Sequence, residues 1–497
     1  MYRKKIKEPE FENFILPFSG KLLSENRWVV YSKIIPWDEI EEKYAKCFSD
    51  SGMGAPAKSV RIALGALIIK EKLNITDEET LQQIIENPYL QYFLGFETYR
   101  NKAPFDPSMM VHFRKRLNIS DLKELNELIV LFKNKNKGDK NKPEKNQGEE
   151  NNGDSSGNKS ADADIANKGK LIVDATCAPA DIAYPTDVNL LNTAREKTEE
   201  IIDMLYNSAK DQIKKPRTYR KKARKSFVEI IKNKIKSAAK LRKAIGKQLR
   251  FIRRNIKNIS AIIAITGYLS LSKAQKKNLE VIKELYRQQD FMYKNKTHRI
   301  NKRIVSISQP HVRPIVRGKA ASKIEFGAKI SVSLIDGYCF IDKLSWEPYN
   351  ESGDLKHQID EYKRRFGYYP SSVHADKIYR TRENINYCKS NNIRFSGQKL
   401  GRPKVDSSEN KSCLKKMKKQ MYQDERSRIP IEGKFGNAKR KYSLARVMAK
   451  LSQTSETSIA ITFLVMNLDK IARFIFLFFN TIAEFIGFLS YKLKEAK

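Results

Sequence analysis

Three acidic residues are placed where side chains of this kind could act on phosphodiesters. Asp174 ends the apolar run LIVD, Asp376 follows YYPSSVHA, and Glu432 lies in the basic stretch ERSRIPIEGKFGNAKRKYSL. Phosphodiester hydrolysis and transfer use two divalent metal ions about 3.5–4 Å apart. Mg²⁺ prefers oxygen ligands and is held by a few carboxylates together with substrate phosphate. Such a site needs two or three acids from separate elements, and these three residues meet that requirement.

The surrounding sequence predicts which elements position the acids. Asp174 and Asp376 each follow an apolar run, which is typical of a buried strand with an acid at its end. We expect Glu432 to open a helix. Each acid also has a structural interpretation: a turn residue at Asp174, an ion pair of Asp376 with Lys377, and an ion pair of Glu432 with a neighbouring cation.

Two cations flank Glu432 at helical spacing. Arg428 lies four residues before it, and Lys439 lies seven residues after it. If one helix spans all three residues, both cations share the face of the acid. Arg binds phosphate through paired hydrogen bonds and Lys acts as a point charge, so this face could hold a phosphate backbone.

Residues 171–450 alternate between strand and helix patterns. After the first strand comes a basic helical stretch at about 195–300, in which apolar residues recur every three or four positions from Leu241 to Ile259. A hairpin with its turn at Asp336–Gly337 follows, then a helix, a strand, a helix, a short strand and the helix with Glu432. This order predicts an α/β fold with a mixed sheet flanked by helices and a long helical insertion.

Composition divides the remainder of the chain. Residues 1–132 have helical periodicity and predict an all-α N-terminal domain, whereas residues 133–170 are almost free of apolar side chains and predict a disordered linker. Residues 451–497 predict C-terminal helices. Their longest uninterrupted apolar stretch, FIFLFF, is too short to span a bilayer, which favours a buried closing helix over peripheral membrane contact.

The N-terminal domain ends in a basic cluster. Residues 56–117 predict short helices, with a capping box at Thr76 and Glu79 and a helix start at Asp106–Pro107. The last of these helices carries the basic run Arg114-Lys115-Arg116. A helix-turn-helix DNA-binding domain and a plain helical bundle with a solvated basic end both fit this pattern.

The whole chain is strongly basic, with 96 Lys and Arg against 57 Asp and Glu in 497 residues and a formal net charge of +39. Such an excess indicates a polyanionic partner, because each neutralised phosphate releases condensed counterions. Nucleic acid is the main candidate, although ribosomal and membrane-surface proteins have similar charge. The five cysteines form no CxxC pair and the N terminus has no apolar signal segment, which together predict a cytoplasmic protein.

Other reactive side chains fit structural roles better. His311 and His374 could contact substrate or metal, but histidine is not a preferred magnesium ligand, and we expect hydrogen-bonded structural roles for both. Cys177 lacks the His/Asn pattern of a cysteine nucleophile. The sequence has no P-loop and no GxGxxG, so the predicted chemistry needs no nucleoside triphosphate.

Three segments resemble the catalytic blocks of bacterial insertion-sequence transposases: DATCAPADIAYPTDVNLLNTARE, HADKIYRTRENINYCKSNNIRFSG and RIPIEGKFGNAKRKYSL. The N-terminal YLQYFLGFETYRNKAPFDPSMMVHFRKRL also resembles the helical module that opens many of these DDE enzymes, in the broad group of insertion-sequence families four and five. The resemblance covers most of the chain apart from the linker and the C-terminal tail. It implies an RNase H-like fold in which Asp174, Asp376 and Glu432 hold two Mg²⁺ ions, with Mn²⁺ as a possible substitute.

The third block matches the signature of that group in part. The signature has a Tyr, an Arg three residues later, a Glu four residues after the Arg, and a Lys seven residues beyond the Glu. Arg428, Glu432 and Lys439 match this spacing, whereas Glu425 occupies the position of the Tyr. The signature is therefore incomplete.

The resemblance implies a DNA transposase. Such an enzyme binds the terminal inverted repeats of its element, hydrolyses a strand at each end and joins the freed 3′-hydroxyl to target DNA, and we expect a homodimer on DNA associated with the nucleoid. The side chains expected to bind DNA are Arg428, Lys439, Lys377, Arg114 and Arg116. Two alternatives stay open: a nuclease of the same fold that cuts without joining, and a decayed or domesticated element that only binds DNA.

Overall fold

The computed structural model describes residues 14–16, 20–48, 56–138, 166–235, 237–267, 271–316, 324–398, 401 and 411–495. Side chains are described in these ranges except at 132–138, 411, 413, 478–480 and 482–495. The predicted disordered linker falls mainly on residues 139–165 and so lies outside the described residues.

The described N-terminal residues form helices, as predicted. They are α1 (Arg27–Ile34), α2 (Trp37–Ala45), α3 (Val60–Leu73), α4 (Asp77–Glu86), α5 (Pro88–Phe93), α6 (Met109–Arg116) and α7 (Ile119–Gly138). The Thr76 hydroxyl caps α4 by accepting a hydrogen bond from the Glu79 backbone N–H, as the sequence predicts. Asn87 ends α4, and its side chain caps α5, which starts at Pro88.

A mixed sheet follows the N-terminal helices. Its strands are β1 (Lys170–Pro179), β2 (Arg313–Val316), β3 (Ile324–Ile335), β4 (Tyr338–Ser345), β5 (Ser372–His374) and β6 (Arg394–Phe395). The central strand β1 is antiparallel to β3 on one side and parallel to β5 on the other, and β6 extends the parallel edge. Both β2 and β4 pair with the outer edge of β3. The predicted hairpin is formed by β3 and β4, with positive φ at Asp336 and Gly337 in its turn.

Four helices lie between β1 and β2 and form the predicted insertion. They are α8 (Asp187–Asn207), α9 (Arg220–Lys232), α10 (Ala238–Thr266) and α11 (Lys273–Lys294). The predicted apolar stripe lies on α10, where Leu249, Ile252 and Ile259 are buried. These side chains pack in apolar clusters that the insertion forms with its own helices α8 and α11.

The remaining helices cover the sheet and connect it to the N-terminal helices. They are α12 (Leu355–Phe366), α13 (Arg382–Ser390), α14 (Lys411–Lys441) and α15 (Ser452–Glu495). Helix α15 packs against α3, α6, α7 and β4, so one apolar cluster runs from the N-terminal helices through α15 into the sheet. Burial along α15 reaches Ile471, whereas Phe476 and Leu477 are exposed, so the predicted burial of the C-terminal apolar run is confirmed at Ile471 and wrong at these two residues. None of the helices in the described ranges is long and apolar enough to cross a membrane.

A buried polar cluster fastens α15 in place. The Asp469 carboxylate accepts hydrogen bonds from the hydroxyls of Tyr31 on α1 and Tyr442 just after α14, and it pairs with Lys72 on α3. Hydrogen bonds and the ion pair together satisfy this buried acid. The division of the chain into separate domains stays a prediction.

Gly327 on β3 supports a stability prediction, because its backbone approaches β1 closely. A Cβ at this position would lie 2.0 Å from the backbone oxygen of Ala178. We expect Gly327→Ala to destabilise the protein by about 2 kcal/mol or more, through forced separation of the two strands, measured as a lower urea midpoint. Gly433→Ala is the control, because a Cβ there meets no other atom within 4 Å and Ala favours the helix. Equal midpoints for Gly327→Ala and the wild type would contradict the close approach.

Candidate active site

Asp174 lies in the middle of β1, so the prediction that it ends a strand is wrong. Burial continues beyond it through Cys177, because β1 pairs with β3 along this whole stretch. On the parallel side Ile172 is the register partner of His374, the last residue of β5. Continuing that register by two residues brings Asp174 and Asp376 to the same level of the sheet.

Asp376 follows β5 by two residues, so it does not end the strand as predicted. It begins a single 3₁₀ turn, Lys377–Tyr379, and its carboxylate accepts a hydrogen bond of 2.6 Å from the Lys377 backbone N–H. The residue is exposed. The capped turn therefore presents this carboxylate to solvent beside the centre of the sheet.

Glu432 lies well inside α14, so the prediction that it opens a helix is wrong. The buried face of α14 begins at Asp424 and continues through the apolar Ile431, Phe435 and Ala438, and it packs on β1 and β5. Spacings of seven, four and three residues place these side chains on one helix face. The helix therefore starts well before Glu432, and the part of it that contains Glu432 packs across β1.

Arg428 bridges the first and third acids. Its Nη1 lies 2.9 Å from Oε1 of Glu432 and 3.9 Å from Oδ2 of Asp174. The side chains of Asp174 and Arg428 are 18% and 24% exposed, and that of Glu432 is 53% exposed. The ion pair that was the structural interpretation of Glu432 is formed, and it also brings carboxylates from β1 and α14 together.

The pKa of the Asp174 carboxyl group lies close to neutral pH. Burial raises its pKa to about 6, and the carboxylates of Asp376 and Glu351 contribute to the rise. The Ala175 backbone N–H, which donates a hydrogen bond of 2.8 Å to Oδ1, and the charge of Arg428 oppose it. Perturbed acids of this kind concentrate at functional sites, because they combine burial with a specific set of charges.

The three acids suit a divalent cation chemically. They offer carboxylate oxygens, which Mg²⁺ prefers, and a cationic guanidinium already lies between two of them. Among the residues that the structure describes, no three acidic, histidine or cysteine side chains are yet placed to hold a metal ion. The side chains of Asp174, Asp376 and Glu432 would therefore have to draw closer around such an ion.

Comparison with known proteins identifies two segments of the chain. A family model described as "Transposase DDE domain" matches residues 373–469, and one described as "Transposase domain (DUF772)" matches residues 18–116. These two matches support an insertion-sequence DDE transposase. The DDE domain implies an RNase H-like fold, which agrees with the mixed sheet and its flanking helices.

A protein from Rhizobium meliloti named "Uncharacterized protein ORF8 in nfe locus" is similar to part of this chain. It is 29% identical over 157 residues, which is 32% of this chain and 63% of that protein. No solved structure matches the chain. The segment 373–469 contains Asp376, Arg428, Glu432 and Lys439, whereas Asp174 lies outside both matched segments.

Sequence reasoning missed Glu351. This acid begins the 3₁₀ turn Glu351–Asp354, which packs against the turn that follows Asp376, and it pairs with Lys329 on β3. Glu351 also contributes to the raised pKa of Asp174. The sequence contains a local signal for this turn, because Asn350 caps it. Its packing against the turn Lys377–Tyr379 depends on the sheet, which the local sequence does not reveal.

The two candidate histidines occupy structural positions. His374 is buried, with Nε2 3.2 Å from the Ser372 hydroxyl and Nδ1 3.8 Å from Asp424 on α14, and burial lowers its pKa to about 4. The hydrogen-bonded role expected for it fits this environment. His311 packs edge-on against Trp346, with ring centroids 4.4 Å apart, and its Nε2 has no hydrogen-bond partner among the described residues.

The predicted DNA-binding cations lie in different environments. Arg428 and Lys439 are on α14, and Lys377 is exposed beside Asp376. Arg114 is buried and makes a two-point ion pair with Asp77, in which Nη1 of Arg114 lies 2.9 Å from Oδ2 of Asp77. The guanidinium of Arg116 lies over the Phe48 ring, 4.7 Å from its centroid. DNA contact by these five residues stays a prediction, and Arg114 would first have to leave its ion pair with the half-buried Asp77.

The pKa of Asp174 predicts a pH-dependent stability effect. Its folded-state pKa of about 6 lies above the ordinary value of 3.8, so the folded state loses stability relative to the unfolded state as pH rises through this interval. We expect Asp174→Asn to stabilise the protein by up to about 3 kcal/mol at pH 8 and to have little effect at pH 4. Thermal unfolding at both pH values, without added metal, measures the difference. The exposed Asp211→Asn is the control, and an equal effect of Asp174→Asn at both pH values would contradict the assignment.

Proposed function

We propose that this protein is a transposase that cleaves the ends of an insertion sequence by metal-dependent phosphodiester hydrolysis and joins the 3′-hydroxyl ends to target DNA. The observation that carries the proposal is the convergence of Asp174 and Glu432 on Arg428, at the level of the sheet where Asp376 follows β5. The DDE-domain match over residues 373–469 supports the same assignment independently of that geometry.

Asp174, Asp376 and Glu432 are the proposed ligands of two Mg²⁺ ions, for which Mn²⁺ could substitute. Bound ions of this kind activate the attacking oxygen and stabilise the leaving oxygen of an in-line displacement. The fold of the chain orients the three carboxylates. Strand pairing on both sides of β1 holds Asp174, the capped turn holds Asp376, and the packing of α14 on β1 and β5 holds Glu432.

The insertion is the proposed surface for DNA outside the site. Residues 214–257 contain 19 Lys and Arg and a single acid, Glu229. Exposed cations on α9 include Lys221, Arg224 and Lys225. On α11, by contrast, cations pair with acids of the same helix, as in Lys283–Glu280, Arg287–Glu284 and Lys294–Asp290. This contrast favours α9 and α10 over α11 as the polyanion-binding part of the insertion.

The remaining partners follow from the proposed reaction. The double-stranded DNA substrates are the terminal inverted repeats and the target, and bringing two ends together favours a homodimer on DNA. Lys439 and Lys377 are proposed to contact the backbone beside the acids, with Arg114 and Arg116 on the N-terminal helices. Such a protein would act in the cytoplasm, at the nucleoid.

A plasmid-nicking assay tests the assignment of the acids. Asp376→Ala is expected to reduce Mg²⁺-dependent nicking at least about a hundredfold, because each lost ligand removes several kcal/mol of transition-state stabilisation. DNA binding, measured by mobility shift, should stay largely intact. Asp211→Ala, at an exposed loop position, is the matched control. Retained nicking by Asp376→Ala protein would contradict the proposal, and a strand-transfer assay with a labelled terminal-repeat oligonucleotide separates a transposase from a nuclease that only cuts.

Charge removal tests the proposed DNA surface. A triple variant on α9, with Lys221, Arg224 and Lys225 changed to Ala, should bind duplex DNA more weakly and lower the slope of log affinity against log salt by up to about 3. The control changes two lysines and one arginine on α11, Lys283, Arg287 and Lys294, whose charges are already paired. Equal salt slopes for the two variants would argue against the α9 surface.

A further inference from the structure

We infer that Arg428 exchanges partners: it neutralises Asp174 and Glu432 in the metal-free protein and transfers to a DNA phosphate when divalent ions take its place. The inference rests on the proposed function of the site and assigns Arg428 a regulatory role there. In the metal-free protein the Arg428 guanidinium then lies beside the carboxylates of Asp174 and Glu432 and offsets part of their negative charge.

The position of the guanidinium carries the first step. Nη1 is directed at both acids at once, 2.9 Å from Oε1 of Glu432 and 3.9 Å from Oδ2 of Asp174. An ion bound by both carboxylates would need oxygens at about 2.0–2.1 Å if it were Mg²⁺. Such an ion has to occupy the space between these carboxylates, where Nη1 now lies. Arg428 and the ion therefore compete for the same two side chains.

The surroundings of Arg428 allow it to leave. Its pair with Glu432 joins residues one turn apart on a helix surface, and Glu432 is 53% exposed. Ion pairs of this exposed kind are weak, because water and salt screen them. The contact with Asp174, at 3.9 Å, is longer than a hydrogen bond. A doubly charged ion therefore displaces a singly charged group that few interactions hold, without any movement of the α14 backbone.

Helix geometry also determines where the displaced side chain goes. Arg428, Glu432 and Lys439 lie on one flank of α14, next to the buried stripe that faces β1 and β5. Arg428 is therefore confined to the solvent-facing edge of the site, where a scissile strand bound to the ions must pass. A guanidinium binds phosphate oxygens in a two-point geometry that a carboxylate pair of unequal distances does not satisfy.

This exchange couples metal binding to DNA binding. The ion releases Arg428 for phosphate, and phosphate withdraws Arg428 from the acids that the ion needs. Each ligand therefore raises the affinity for the other by the same factor, as linkage requires. Through this exchange, Arg428 favours the state in which the divalent ion and the DNA phosphate are both bound.

Mn²⁺ titration of the full chain at pH 8 tests the inference. Isothermal calorimetry on the DNA-free protein should give at least about fivefold tighter Mn²⁺ binding for Arg428→Ala and for the polar variant Arg428→Gln than for the wild type. Arg426→Ala, an exposed arginine on the same helix whose guanidinium lies over Tyr422, is the matched control and should leave Mn²⁺ affinity unchanged.

A second measurement separates exchange from a simple charge effect. Mn²⁺ should strengthen binding of a fluorescent random-sequence DNA duplex to the wild type by about fivefold or more. Arg428→Ala should lose this enhancement, and Arg426→Ala should keep it. Unchanged or weaker Mn²⁺ binding by the Arg428 variants, or an enhancement that survives in Arg428→Ala, would overturn the inference.

The same titrations distinguish this inference from the proposed function. If Asp174→Asn and Glu432→Gln bind Mn²⁺ as well as the wild type does, the proposed metal site is wrong, and the exchange is wrong with it. If those variants lose Mn²⁺ while Arg428→Ala behaves like the wild type, the metal site stands and only the exchange is overturned.

Discussion

The packing of α14 across β1 and β5 is the contact on which the remainder of the site depends. A carboxylate in the middle of a central strand is costly to ionise, and burial accordingly raises the pKa of Asp174. A compensating cation has to arrive from outside the sheet. Arg428 can reach Asp174 because Ile431 and Phe435 bury the adjacent face of α14 against the sheet. The same packing brings Glu432, one turn further, beside the first acid.

Helix α15 gives the site its connection to the N-terminal helices. Tyr442, immediately after α14, donates to Asp469 on α15, and Asp469 is also bound by Tyr31 and Lys72. The end of the helix that carries Glu432 is thus fixed through one buried acid to α1 and α3. Helix α15 lies between the N-terminal helices and the sheet. Because packed protein interiors are stiff, a displacement of either would shift α15 and, through it, the other. The orientation of the N-terminal helices toward the site therefore depends on this helix.

The sequence was sufficient for the order of the elements and for the hairpin, since Asp336–Gly337 and the alternating residues around it are local signals. It misplaced all three acids within their elements. Asp174 lies mid-strand because pairing with β3 continues beyond it, and Glu432 lies inside α14 because the buried stripe starts earlier than the acid. Both errors arise from tertiary pairing, which single-sequence periodicity does not contain. Glu351 was missed for the same reason, because only the packing of its turn brings it near Asp174.

Glu425 stands where the transposase signature that the third block resembles has Tyr. It is exposed, three residues before Arg428, and it lies outside the stripe that α14 buries on the sheet. A change there alters the solvent-facing edge of α14, which the proposed DNA strand would meet, and leaves the packing behind Glu432 untouched. The third acid can therefore keep its geometry beside Asp174 although the signature is incomplete. An added acid next to Arg428 acts instead on the electrostatics of that edge, because it offers the guanidinium another partner and repels a phosphate.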